Sequence, residues 1–164
     1  MTPARQQGKP IATAGAATAV WLVLAWTIGS FAATTERVVT NPQTGLAIDG
    51  YDPVSYFIDG IAVAGRPDFE LRYRGAVWRF RNSGNLAAFR DHPEDYEPQF
   101  GGYDPVGIGR GAPTPGNPIF WLVESRRLYL FHSEQAQTEF RKNIKRLAPL
   151  AEAKWADVIN VLVQ

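Results

Sequence analysis

The chain has no cysteine among its 164 residues. It therefore forms no disulfide, holds no metal through thiolates and uses no cysteine nucleophile. A lipoprotein-type anchor, which is attached through a cysteine, is excluded as well. Histidine is nearly as scarce, with only His92 and His132. A transition-metal centre takes about three or four ligands, so one built here would have to draw on carboxylates such as Asp52 or Asp104. Excess charge of one sign is missing too. Seventeen basic residues face 16 acidic ones, for a formal net charge of +1. That near balance excludes a general nucleic-acid binder, which needs a strong basic excess to release counterions. The one local cluster, Arg141, Lys142, Lys145 and Arg146, has helical spacing and reads as a solvated helix face.

What is present is enough apolar residue, 45%, for one folded domain with its own core. Ahead of that domain, Ile11 to Ala33 carry no charge, with Arg5 and Lys9 before them and Glu36 and Arg37 after. Basic residues, an apolar run and then small residues form the order of a secretory signal, and Ser30-Phe31-Ala32 before Ala33 is an acceptable cleavage site. At about 1.5 Å per residue the same run also spans a bilayer core of roughly 30 Å, so residues 1–33 are read as a signal peptide or a membrane anchor. Either way the folded part is delivered outside the cytoplasm, to the periplasm or an equivalent space. It meets the membrane only if the segment is retained.

A linker over 34–49 leads into a domain over 50–164, which contains one pentapeptide twice: Gly50-Tyr51-Asp52-Pro53-Val54 and Gly102-Tyr103-Asp104-Pro105-Val106. Phe69 to Arg74 and Ala76 to Phe80 read as a hairpin turning at Arg74-Gly75. Ser83 is placed to cap a short helix through Leu86, Phe89 and Arg90, which Pro93 stops. At a shift of about 51 residues, Ile119 to Glu124 and Arg127 to Phe131 repeat the hairpin, with Ser125-Arg126 as its turn. A helix after Ser133 carries Phe140, Ile144 and Leu147. The domain is thus an α+β pair of hairpin–helix units, pseudo-repeats 50–100 and 102–148. A last helix from about Pro149 presents Trp155, Val158, Ile159 and Leu162 as a core-facing stripe. The units differ over Pro105 to Pro118, a Gly- and Pro-rich stretch that reads as a long irregular loop of the lid or binding kind.

Each Asp-Pro-Val has a structural reading. The residue before proline is extended, and its carboxylate can accept from backbone amides just ahead of it. In the functional reading, Asp52 and Asp104, with Tyr51 and Tyr103, converge on one surface, where carboxylates serve acid–base work or hold a hard cation. His92, at a helix end, reads as a cap or solvated group. His132 lies at the strand-to-helix junction. A Ser–His–Asp set can be assembled on paper from Ser55 or Ser133, but no nucleophile elbow accompanies either.

The run Gly50 to Phe57, then Gly75-Ala76-Val77-Trp78-Arg79-Phe80, Asn85, Phe89, Pro93, Tyr96, Pro98-Gln99 and Gly101-Gly102-Tyr103 resembles exported YHS-domain proteins. The likeness continues through Pro115-Gly116-Asn117-Pro118, Leu128-Tyr129-Leu130 and Ala153-Lys154-Trp155. The resemblance implies a small treble-clef-like fold, placed behind one apolar N-terminal helix; relatives in heavy-metal pumps and some hydroxylases are thought to bind metal. This chain departs from the metal-binding pattern where the cysteines would stand: Ser55 follows Asp-Pro-Val, and Phe80-Arg81-Asn82-Ser83-Gly84-Asn85 replaces a Cys-bearing run. Asp104 takes the place of another cysteine. The expectation is a non-enzymatic envelope module that binds a metal ion or small ligand through Tyr51, Asp52, Tyr56, Tyr103, Asp104 and Arg110. Asp104 and His132 are the candidate metal ligands. The alternatives are an envelope enzyme using Asp52, Asp104 and His132, or an accessory subunit docked to a membrane protein.

Overall fold

The computed structural model describes Met1 and residues 37–162. The signal or anchor segment over 1–33, apart from Met1, lies outside the described residues. Among the described residues, no helix is long and apolar enough to cross a membrane. Over the described residues the fold is mixed α and β, with two small antiparallel sheets and six helices.

The first hairpin pairs β1, Arg66–Tyr73, with β2, Ala76–Phe80. The second pairs β3, Asn117–Glu124, with β4, Arg127–Phe131. Both turns have two central residues at positive φ: Arg74 and Gly75 at 49° and 82°, Ser125 and Arg126 at 50° and 59°. That is the primed turn whose twist matches the flanking strands. Both hairpins slip register at the same place, between Arg66 and Glu70 in one and between Asn117 and Trp121 in the other. The two copies are thus built alike down to their bulges.

Each hairpin feeds a nine-residue helix. Helix α2, Ser83–Asp91, is capped by Asn82, whose side chain accepts the Asn85 amide at 2.8 Å. The cap is therefore Asn82 and not Ser83, because Asn82 still has extended backbone and a side-chain oxygen aimed at the third helical amide. Helix α5, Glu134–Lys142, is capped by Ser133 in the same way, from the Ala136 amide at 3.2 Å. Phe89 packs on Trp78 and Phe80 at ring separations of 5.0 and 5.2 Å. Phe140 repeats this on Tyr129 and Phe131 at 4.9 and 5.3 Å.

Short helices complete each copy: α1, Ser55–Ile58, and α4, Pro105–Gly109, after the two Asp-Pro-Val turns, and α3, Pro93–Tyr96, after α2. The stretch expected as an irregular loop from Pro105 thus opens as a helical turn. Asp104 accepts the Val106 amide and Pro105 sits at the first helical position, which its fixed φ suits. The last helix, α6, runs Ile144–Leu162 and holds Pro149 inside it, so it starts earlier than the proline suggested. Asn143, at φ −126°, breaks the chain between α5 and α6.

Two apolar clusters share the interior. Strand side chains alternate between faces. Leu128 and Leu130 of β4 join Trp78, Phe80 and Phe89, while Tyr129 and Phe131 join Phe140, Leu147 and Val158. Trp155 and Leu162 pack against the second cluster. The described part of the expected linker sends side chains into the core: Val38, Ala47 and Ile48 are buried, and Ala47 donates its amide to the Val77 carbonyl, while residues 42–45 stay exposed.

Candidate functional site

Both aspartates of the repeated pentapeptide are 0% exposed. Asp52 accepts the Val54 amide at 2.9 Å with one oxygen. Its other oxygen accepts the Arg81 amide at 2.8 Å and the Asn85 side-chain amide at 2.7 Å. The carboxylate pins its own turn to the end of β2 and the start of α2. It gains three charge-assisted bonds in return for its burial. All its partners come from the first copy, and it presents no open face to a ligand.

Asp104 repeats two of these bonds. It accepts the Val106 amide at 2.8 Å and the His132 amide at 3.2 Å. The third differs. Ala136 stands where Asn85 does, and the Asp104 carboxylate instead accepts from the His132 ring at Nδ1. Gly107 replaces Ser55 beside it. The first copy turns its matching side chain, Arg81, outward to Asp59 at 2.7 Å, whereas His132 turns inward and stays 46% exposed. With its proton on Nδ1 facing a carboxylate, the imidazole leaves Nε2 as an acceptor. Nε2 lies 3.2 Å from the Ser133 hydroxyl oxygen. Asp104, His132 and Ser133 therefore form one hydrogen-bonded row that ends at a half-buried serine.

The remaining expected residues do not join that row. Tyr51 is half-buried and bridged to Ala64, and Tyr103 is buried against Trp155 at a ring separation of 6.1 Å. Tyr56 is buried and donates its hydroxyl to the Pro118 carbonyl at 2.9 Å, tying the first copy to β3. Burial, then the nearby Tyr51 and Asp52, pushes its phenol far above the ordinary range. Arg110 pairs with both oxygens of Glu139 at 3.0 Å, on an exposed face. Ser55 is buried. Among the described residues, no three His, Asp or Glu side chains gather closely enough to hold a metal ion.

A cleft of about 520 Å³ lies elsewhere, and the sequence did not announce it. Arg37, Arg74, Glu97, Gln99, Phe100 and Trp155 line it. Its wall is the turn before the second pentapeptide, where Phe100 and Gly101 hold φ of 55° and 62°. A Cβ on Gly101 would sit 1.9 Å from the Arg37 carbonyl oxygen, so only glycine lets the two segments meet. Arg74 pairs with Glu97 at 2.9 Å. Burial raises the Glu97 carboxyl above its usual range, against the pull of Arg74 and with a smaller push from Glu94. Trp155 reads in sequence as a core residue, and its other edge forms part of this wall. Arg74 reads as a turn residue, because nothing in its neighbours marks what lies across the gap.

No family model, curated protein or solved structure matches the chain.

Proposed function

We propose that this chain is an extracytoplasmic binding module of the YHS type, with a treble-clef-like fold, that takes a small anionic ligand bearing a planar or aromatic part. The observation that carries this reading is the composition of the 520 Å³ cleft. Its volume falls in the range usual for small-molecule sites. Two guanidinium groups outnumber one carboxyl, and a guanidinium recognises carboxylates and phosphates through paired donors. Phe100 and Trp155 add flat apolar surface, and Gln99 adds an orienting amide. The uncharged N-terminal segment and the quoted motifs support delivery outside the cytoplasm.

An organic ligand fits better than a metal ion. Asp104 and His132 offer two donors where a transition metal takes about three or four. The enzyme built on Asp52, Asp104 and His132 loses Asp52, whose oxygens are spent on Val54, Arg81 and Asn85.

Amide-resolved NMR titration with benzoate and with inorganic phosphate tests the cleft. Benzoate should shift Gly101, Arg74 and the Trp155 indole, and Arg74→Ala should abolish the shifts. If millimolar benzoate and phosphate both leave these signals unmoved, the reading is wrong.

A further inference from the structure

We propose that Ser133 is an activated nucleophile, able to accept a short acyl group from an ester, with His132 as its general base and Asp104 as the positioning residue. This does not rest on the cleft reading. The juxtaposition that carries it is the row of Asp104, the His132 ring and the Ser133 hydroxyl. A nucleophile within 3.2 Å of a base that a buried carboxylate orients is the arrangement that activates serine.

The comparison between copies shows that this plan can satisfy the buried carboxylate without a ring. The first copy satisfies the same buried carboxylate with Asn85, places Arg81 at the histidine position and caps its helix with Asn82. The second copy gives up the buried amide, substitutes a half-exposed imidazole and caps with a serine. The imidazole and the hydroxyl so introduced are both groups that can move a proton. Position helps as well. Ser133 precedes the first turn of the nine-residue helix α5, where the amides of Glu134 and Gln135 find no acceptor inside the helix. Such amides, at the positive end of the helix dipole, suit an oxyanion formed on an acyl group at Ser133.

The step balances with no further reagent than water. The Ser133 oxygen bonds to the ester carbonyl carbon as its proton passes to His132 Nε2, and the imidazolium is held by Asp104. The carbon–oxygen bond to the alcohol then breaks, and the alcohol departs with that proton. Water reverses the sequence: His132 takes a proton from it, the hydroxide attacks the acyl carbon, and Ser133 is released with its proton as the free acid leaves. Because His132 opens to solvent at the surface, the substrates it suits are short esters.

A fluorophosphonate probe tests this on the full-length chain. The serine oxygen bonds to phosphorus, fluoride leaves and the proton goes to His132, giving one stable adduct that intact and peptide mass spectrometry locate. The expected result is a single label on Ser133, with labelling in His132→Gln slowed by at least about 100-fold, the contribution typical of a general base. Ser133→Asn keeps a cap of the Asn82 kind, and it should melt near the parent and lose the label. Hydrolysis of p-nitrophenyl acetate should fall in parallel. The proposal is overturned if Ser133 stays unlabelled, if His132→Gln labels as fast as the parent, or if folded Ser133→Asn still takes up the probe.

Discussion

Asn85 and Ala136 stand at the same point of the two copies, third in the helix after each hairpin, and only Asn85 reaches the carboxylate behind it. Asp104 is left to His132. Asn85→Ala should therefore destabilise the fold by about 1–3 kcal/mol, the range for leaving a buried acceptor short of a partner. Urea midpoints of the parent and variant measure it. A change under a few tenths would show that Asp52 does not rely on Asn85.

The same logic yields a rescue. His132→Ala strips Asp104 of its side-chain donor and should lower stability. Adding Ala136→Asn rebuilds the first copy's solution and should recover part of the loss, the double variant melting above His132→Ala alone. If Ala136→Asn only lowers stability further in that background, the two copies do not share one plan at this point.

The second hairpin turn carries an avoidable cost. Ser125 and Arg126 both adopt positive φ, where the first copy uses glycine at the latter place. A left-handed residue other than glycine costs roughly 1–2 kcal/mol. Arg126→Gly should raise the thermal midpoint, by about 0.5–1 kcal/mol of stability once the glycine's freedom in the unfolded chain is counted. An unchanged or lowered midpoint would contradict this.

Gly101 and Gly60 share positive φ, 62° and 66°, but not surroundings. Gly60 has nothing within 4 Å of a Cβ, while Gly101 faces the Arg37 carbonyl. Gly60→Ala should cost about the left-handed penalty alone. Gly101→Ala should cost clearly more and expose the chain near Arg37 to proteolysis. Equal midpoints for the two variants would refute the close-packing account of the cleft wall.

The Glu97 carboxyl titrates above its unfolded value of 4.5 because burial disfavours the charge. The folded state therefore holds this proton more tightly than the unfolded chain. The stabilising contribution is full below pH 4.5 and fades as pH rises through the folded value. Glu97→Gln removes that dependence. Measured against the parent, the variant should gain stability as the pH is raised from 4.5 through the folded value. A difference that is flat across that range would remove the assignment.

Much of the scaffold was legible along the chain because its determinants are local. Alternation over Phe69 to Arg74 and Ile119 to Glu124 marks strands, and two-residue turns join them. The aromatic spacing of Phe80 to Phe89 recurs in Phe131 to Phe140. Boundaries were less legible. Pro149 suggested a helix start, yet packing of α6 on α4, close enough that Leu150 lies 3.3 Å from a Cβ built on Gly109, carries the helix through it.

The sequence by itself determined the hairpin–helix repeat, the absence of thiolate chemistry and the two Asp-Pro-Val turns, since composition and short-range backbone preferences suffice for these. Only the tertiary structure decided what the two aspartates do. Identical pentapeptides meet different residues some 28 to 33 positions away in the chain. Asp52 is closed off by an asparagine, and Asp104 is turned toward a histidine and a serine. That difference depends on which side chain the helix start brings against each carboxylate, a long-range contact that no local pattern encodes.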